Sequence, residues 1–169
     1  MRQVHSDPKK LLDLLKKQRP ELGFKPAVDH LFGFNPERGK TIKIAGRELI
    51  YISRDSKTVT FLPVEWRDQL AKSQIRWAGC ENWRAGLPLV AFIEISRHST
   101  DSSGELKVNA EVGPVADHQL RKKVINAIGN LALERNLEKV QFHAGALDKG
   151  RLYSRFLHGN SIVVSNIYD

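Results

Sequence analysis

The sequence contains one cysteine and no long apolar run, and each shortage excludes a class of protein. Because Cys80 stands alone, no intramolecular disulfide can form and no cluster of thiols exists to hold zinc. The most apolar run, LPLVAFIEI, is too short to span a bilayer, and MRQVHSDPKK at the start does not resemble a signal peptide. We therefore expect a cytoplasmic protein in a reducing compartment, with no membrane partner.

Sequence motifs for common catalytic and cofactor sites are also missing. Neither a GxGxxG loop nor a P-loop occurs, and no nucleophile elbow is present. The histidines show no metal-ligand spacing such as H-x-x-x-H. Cys80 has no histidine in its own segment to act as a base, so we predict a buried, inert thiol instead of a nucleophile. We expect no metal and no cofactor, with Mg²⁺ reserved for a nuclease alternative.

Positive charge is what the sequence has in excess. Lysine and arginine outnumber aspartate and glutamate by 27 to 19, which gives a net charge of +8. A polyanion is therefore the first partner to consider, because each phosphate that a protein neutralises releases counterions. The length of 169 residues suits one domain with its own core. We predict a single domain over residues 1–169, in which residues 1–24 form an N-terminal helix and loop.

The apolar pattern predicts an α+β fold, with one layer of mostly antiparallel sheet packed by helices. TIKIA, ELIYIS and TVTFLP are separated by tight turns, so they predict a three-stranded meander. LPLVAFIEIS and ELKVNAEV predict a hairpin, and KVQFHAG and SIVVSNI predict two more strands. Helices are predicted from Asp7 to Pro20, briefly after Lys25, from Glu65 to about Trp77, after Asp117 and after Asp148.

The helix after Asp117 is predicted to be the longest. Apolar residues recur on it at steps of three or four, which predicts one face toward the core. These residues are Leu120, Val124, Ile128 and Leu131. The solvent side is predicted to begin with three basic residues, Arg121, Lys122 and Lys123.

Three groups of basic residues are candidates for contacts to phosphate. One surrounds the segment RWAGCENWR, a second opens the long helix near its N-terminal amides, and a third lines the predicted helix after Asp148. Scattered solubilising charge is the alternative for each group. The predicted nucleic-acid-binding residues are Arg76, Trp83, Arg84, Arg121, Lys122, Lys123, Lys149, Arg151 and Arg155.

The tryptophans of this region are interpreted separately. Trp66 and Trp77 precede a strong strand, where large aromatic residues usually close a core; we assign Trp66 to the core and leave Trp77 open. Trp83 follows a glycine and an asparagine in a connection, so Trp83 with Arg84 is the pair predicted to touch a partner. Tryptophan and arginine suit base stacking and protein interfaces equally well.

The hairpin offers an alternative catalytic site. With a turn centred near Thr100, Glu94 lies across from Lys107, and alternate residues of ELKVNAEV share that face. Carboxylates and a lysine on one sheet face resemble part of a metal-dependent phosphodiesterase centre, in which acids hold Mg²⁺. The candidate catalytic residues are Glu94, Glu105 and Lys107, and Glu105-Leu106-Lys107 matches E-x-K. A plain solvated sheet face explains the same pattern.

A family resemblance extends over roughly residues 58 to 158. TVTFLPVEW, LVAFIEIS, VNAEVGPVADHQLRKKVINAI and GRLYSRFL resemble the C-terminal region of bacterial PD-(D/E)XK nuclease-superfamily proteins linked to restriction and defence loci. In that family the nuclease core precedes this region, whereas the sequence ahead of it here predicts a helix and a loop. The resemblance therefore implies a nucleic-acid-binding or partner-binding accessory of a defence system.

Three functional hypotheses follow from these patterns. The first is a non-enzymatic protein that binds nucleic acid through arginine and lysine. The second is a divergent Mg²⁺-dependent nuclease. The third is a protein-interaction module or inhibitor that docks on a nuclease or a phage component with RWAGCENWR as its anchor.

Overall fold

The computed structural model of the chain describes residues 24–73, 75–97 and 103–164. Within that part, the α-helices are α1 (Phe24–Phe32), α2 (Val64–Lys72) and α3 (His118–Glu134), and Ala144–Leu147 forms one 3₁₀ turn. The strands are β1 (Thr41–Ile44), β2 (Arg47–Arg54), β3 (Thr58–Pro63), β4 (Leu89–Arg97), β5 (Gly104–Val112), β6 (Ser154–Arg155) and β7 (Asn160–Val164). The predicted helix from Asp7 to Pro20 and the turn near Thr100 lie outside the described residues.

The strands form one sheet in the order β1-β2-β3-β4-β5-β6. Each described pairing is antiparallel, and β6 and β7 lie along the same edge of β5, at opposite ends of that strand. The predicted α+β fold with a mostly antiparallel sheet is confirmed. The hairpin register is confirmed as well, because Glu94 pairs directly with Lys107.

One face of the sheet is apolar and is covered by helices. α1 packs on it with Val28 and Phe32, and the ring of Phe32 lies 5.7 Å from that of Tyr51. The strand residues buried in this cluster are Ile44, Leu49, Tyr51, Val59, Phe61, Ala91, Ile93, Ile95 and Leu106. Farther along β5, Val112 packs under α3 against Ile125. Alternation along the strands thus produces the main core, as the sequence predicts.

The opposite face is apolar over β2 and the end of β3, where Ile50 and Leu62 pack against α2 and the connection that follows it. From Thr60 of β3 across β4 and β5, the same face carries polar groups around one aromatic ring. We call this region the polar face, formed by Thr60, Phe92, Glu94, Asn109 and Glu111. The candidate site lies on it.

The helix predicted from Glu65 to Trp77 ends earlier, at Lys72. The reason is Ser73, whose hydroxyl donates to the carbonyl of Leu70 at 2.6 Å and so closes the last turn. Trp77 therefore lies beyond the helix, where it is 8% exposed and packs with Cys80 and Val115.

Two predictions for the last third of the chain are wrong. KVQFHAG forms no strand: Phe142 makes a single bridge to Phe156, and the 3₁₀ turn follows. No helix follows Asp148, which has extended backbone angles, and β6 stands in place of that helix. The backbone N–H of Phe156 donates to Ala110 of β5, so pairing with the sheet overrides the helical spacing of this segment.

The faces of α3 also differ from the prediction. Leu120, Val124 and Ile128 pack against the core clusters, but Leu131 is 45% exposed. Arg121, predicted on the solvent side, is 1% exposed. Its guanidinium donates to the carbonyl of Ala146 at 2.5 Å and to the Ser154 hydroxyl at 2.6 Å. Arg121 is buried because these two distant segments fold over it.

Asp117 caps α3 as predicted. Its carboxylate accepts hydrogen bonds from the backbone N–H groups of Leu120 at 3.0 Å and Gln119 at 2.8 Å. These bonds, chiefly the one from Leu120, favour the charged form and hold the pKa of Asp117 below its usual value.

Asp117→Ala is expected to lower Tm by roughly 2–4 °C at neutral pH, because two N–H groups of α3 lose their acceptor. Since the folded-state pKa is lowered, the contribution of the carboxylate is present above the unfolded pKa of about 3.9 and is lost as pH falls through the folded pKa. Thermal melts from pH 7 downward measure this, with Asp117→Asn as the uncharged control. A deficit in Asp117→Ala that stayed constant down to the lowest pH would contradict the account.

Candidate nucleic-acid interface

The connection that contains RWAGCENWR is a series of tight turns. Backbone N–H groups donate from Cys80 to Trp77, from Trp83 to Cys80 and from Gly86 to Trp83, so the chain reverses every three residues. The connection is fixed to the segment before α3 by a 2.7 Å bond from the Ala116 N–H to the Ala78 carbonyl. Because of these turns, Trp77 and Cys80 lie in the core while Arg84 lies on the polar face.

Trp77 and the cysteine are buried in the core, and Trp66 packs against it half-buried. Trp66 packs against the apolar clusters on both sides of the sheet, as predicted. Trp77, which the sequence left open, is buried with Cys80. Burial, and to a lesser extent the neighbouring Glu81 carboxylate, raises the pKa of the Cys80 thiol to about 11. The predicted buried thiol is confirmed.

Cys80 is expected to resist thiol reagents in the folded protein. Its side chain is fully buried, and with a pKa of about 11 the thiolate fraction at pH 8 is only about one in a thousand. Titration with an aromatic disulfide reagent should give no reaction in native buffer and one equivalent in denaturant. Reaction of the native protein at the rate of a free thiol would contradict this prediction.

Arg84 turns back over the polar face. Its backbone has a φ of 47°, in the left-handed region, and its guanidinium donates to the hydroxyls of Ser53 at 3.4 Å and Thr60 at 3.2 Å. The Arg84 carbonyl accepts a hydrogen bond from the Arg38 guanidinium. The Arg84 side chain therefore lies across β2 and β3, and its guanidinium donates to two neutral hydroxyls in these contacts.

Arg155 lies over the same face from the other side. Its guanidinium carbon is 4.7 Å from the ring centroid of Phe92, a cation–π contact. It also pairs with Glu94 at 3.4 Å and with Glu111 at 3.3 Å. Since Phe92 is the direct strand partner of Thr60, Arg84 and Arg155 contact neighbouring positions on adjacent strands.

An aromatic pair stands beside these arginines. Trp83 packs on Gly113, where an added Cβ would lie 2.2 Å from the indole ring. The ring centroids of Trp83 and Tyr153 are 6.1 Å apart. Trp83 is half-buried and Tyr153 is 44% exposed, so part of the pair faces solvent. Tyr153 was assigned to a helix from the sequence, and no local signal indicates its position beside Trp83.

A pocket of about 440 Å³ opens next to the pair. It is lined by Glu111, His143, Gly150, Arg151, Leu152, Tyr153 and Arg155. Arg151 is exposed, and its Nε donates to the carbonyl of Tyr153 at 3.1 Å. The pocket thus joins the third predicted basic group to the aromatic pair. We call Trp83, Arg84, Arg151, Tyr153 and Arg155 the arginine–aromatic surface.

The structure brings together four of the predicted contact residues: Trp83, Arg84, Arg151 and Arg155. Lys149 is exposed on the same loop as Arg151. Arg76 is 87% exposed and lies 3.8 Å from Glu81, outside the contacts that link this surface. Lys122 and Lys123 follow Arg121 on α3, and Arg121 itself is buried, so its assignment as a phosphate contact is corrected.

Comparisons with known proteins identify no relative. No protein-family model, curated protein or solved structure matches this chain. The resemblance to the PD-(D/E)XK superfamily therefore stays a prediction, and function is inferred from the side chains themselves.

The three candidate catalytic residues of the hairpin lie on β4 and β5 in the predicted register. Glu94, across from Lys107, pairs with the Arg155 guanidinium, while Glu105 pairs in register with Ser96. The Lys107 stem packs close to Gly159, where a Cβ would meet it at 2.7 Å. Among the described residues, no group of three or more His, Cys, Asp or Glu side chains is placed to hold a metal ion.

The sequence also predicts that the protein has no membrane partner. In the described ranges, every helix is too short or too polar to cross a bilayer.

Proposed function

We propose that this protein binds nucleic acid through the arginine–aromatic surface and catalyses no reaction. The observation that carries the proposal is the convergence of Arg84 with Arg151 and Arg155, which belong to two separate basic groups in the sequence, beside a partly exposed aromatic pair. Arginines that contact phosphate next to aromatic rings that stack on bases are the usual components of such interfaces.

The charge of this surface is only partly neutralised. Glu94 and Glu111 offset the charge of Arg155. Arg84 is hydrogen-bonded to hydroxyls and Arg151 to a carbonyl, and within the described residues no carboxylate forms an ion pair with either of them. Both side chains thus retain a full positive charge that a phosphate can neutralise.

The arrangement of the tryptophans favours nucleic acid over a protein partner. A tryptophan that anchors a protein partner must be accessible, but Trp77 is buried and Trp66 is half-buried against the core clusters. Trp83 alone among the three packs beside the arginines, and Tyr153 covers part of it. RWAGCENWR therefore contributes Arg84 and part of the Trp83 ring to the surface. These two groups favour a polyanion over a protein partner that binds through an apolar groove.

The resemblance to restriction-associated proteins adds a biological setting to the proposal. It suggests an accessory module of a bacterial defence system that engages nucleic acid. The enzymatic alternative through Glu94, Glu105 and Lys107 is weaker, because Arg155 already pairs with Glu94. A divalent cation at Glu94 would have to displace that guanidinium.

Salt dependence of binding tests the proposal. A labelled 20-nucleotide probe is expected to bind at low ionic strength, and the affinity is expected to fall several-fold for each doubling of salt, since two to three phosphates are neutralised. Fluorescence anisotropy at a series of NaCl concentrations measures this. Absence of binding at low salt would overturn the proposed function.

A further inference from the structure

The pocket beside Tyr153 has the size of a small-molecule site. It is open to solvent, and its volume of about 440 Å³ lies within the range of about 300–1,000 Å³ found for small-ligand sites. One nucleotide fits in such a space, whereas a double helix does not. Glu111 of the polar face and Arg155 both line the pocket, so the pocket adjoins the arginines along which a strand would lie.

The lining of the pocket matches the parts of a nucleotide. Tyr153, 44% exposed, offers an aromatic ring against which a base can stack. Arg151 and His143 offer donors to a phosphate, and Glu111 offers a carboxylate acceptor toward the amino groups of a base. The base and the phosphate of a nucleotide therefore each have a complementary group among the lining residues.

A buried positive charge, that of Arg121, is bonded to the segment that lines the pocket. Arg121 is bonded to the hydroxyl of Ser154, the residue between Tyr153 and Arg155, and its Nε has no hydrogen-bond partner. Burial, together with the nearby Arg151 charge, lowers the pKa of Arg121. No acid in the described ranges forms an ion pair with Arg121, so an anion in the pocket gains from a charge that the fold does not cancel.

We infer that this pocket takes one unpaired nucleotide of a single strand, with its base stacked on Tyr153 and its phosphate against Arg151. The inference rests on the proposed function and adds strandedness to it. In a duplex the bases are paired and stacked within the helix, so a duplex presents phosphates and base edges but no free base face to the Tyr153 ring. Single-stranded nucleic acid therefore binds more tightly than a duplex of equal length.

Competition between strand forms tests this inference. At one salt concentration, labelled 20-nucleotide single-stranded DNA and RNA are each expected to bind at least about tenfold more tightly than a duplex of the same length. Tyr153→Ala is expected to weaken single-strand binding about tenfold and to leave duplex binding within about twofold. Tyr153→Phe keeps the ring and should behave as wild type.

Two further variants keep the test decisive. Tyr153→Leu preserves apolar bulk without a ring and replaces Tyr153→Ala if thermal melts show that the alanine variant is unfolded. Arg135→Ala removes a charge at the end of α3, 14 positions from Arg121 and hence about 20 Å along the helix, and should change neither affinity by more than about twofold.

The outcomes separate this inference from the proposed function. Equal affinity for single strand and duplex, or equal losses in both for Tyr153→Leu, would overturn the pocket assignment and leave phosphate binding intact. No salt-sensitive binding to either form would overturn the proposed function itself. Binding of only one of DNA and RNA, with loss in Tyr153→Ala, would support the pocket and identify the sugar it accepts.

Discussion

Gly79→Ala is expected to lower the free energy of unfolding by about 3 kcal/mol or more. Gly79 has a φ of +90°, which side-chain-bearing residues rarely adopt. An added Cβ would also lie 2.1 Å from the Pro114 carbonyl oxygen and 2.9 Å from the Ala116 nitrogen. Both are backbone atoms and cannot rotate away, so the two segments must separate. Denaturant unfolding measures the loss.

Gly39→Ala is the matched control for this variant. Gly39 has nearly the same φ of +89°, but nothing lies within 4 Å of its added Cβ. Its substitution should therefore show backbone strain alone, about 1–2 kcal/mol. If Gly79→Ala were no more destabilising than Gly39→Ala, the close approach of the connection to the segment before α3 would be disproved.

The same close approach matters for the proposed function, because it positions Trp83. The Ala116–Ala78 hydrogen bond and the contact at Gly79 hold the connection against residues 113–116. Trp83 packs on Gly113 at the start of that segment. We therefore expect any folded Gly79 variant to bind nucleic acid more weakly, although Gly79 itself offers no side chain.

The double variant Arg84→Ala/Arg151→Ala is expected to weaken nucleic-acid binding about a hundredfold at low salt. Hydrogen bonds to charged groups contribute about 1.5–3 kcal/mol each, so each arginine accounts for roughly a factor of ten. The effect should be nearly the same for different probe sequences, because phosphate contacts carry no sequence information. Anisotropy titrations of the folded variants measure it.

A charge-matched control is available at the far end of α3. Arg135 and Lys139 are both exposed, and Arg135→Ala/Lys139→Ala removes the same two charges. Arg84→Lys keeps the charge and separates binding from the hydroxyl contacts to Ser53 and Thr60. Equal losses in the two double variants would show that binding follows net charge and not this surface.

The parts of the fold that local chemistry determines could be predicted from the sequence. Alternating residues in the meander and the hairpin identify strands and the Glu94–Lys107 register, and Asp117 identifies a helix start. The SIVVSNI strand was also predicted and corresponds to β7, but the segment from Asp148 to Leu157 could not be predicted, because its spacing resembles a helix while distant β5 atoms hold Ser154 and Phe156 in the sheet. Tertiary pairing decides such segments.

Individual residues of the candidate site could be predicted from the sequence, but their arrangement in space could not. Arg84, Arg151 and Arg155 were recognisable as basic residues near possible partners, but nothing in the sequence indicates that two of them reach neighbouring strands. The sequence indicates only that Phe92 is a strand residue, yet its ring makes a cation–π contact with the Arg155 guanidinium. The helical spacing predicts Arg121 on the solvent side, yet its guanidinium is buried and donates to Ala146 and Ser154. In each instance the decisive partner lies far away in sequence.

The most direct test of the account is the slope of log Kd against log salt for the wild type and for Arg84→Ala/Arg151→Ala. Each phosphate contact contributes about 0.7–0.9 to that slope, so the double variant should lose about 1.4–1.8, while Arg135→Ala/Lys139→Ala keeps the wild-type value. An identical slope in all three proteins, or a flat salt response in the wild type, would contradict nucleic-acid binding by the arginine–aromatic surface.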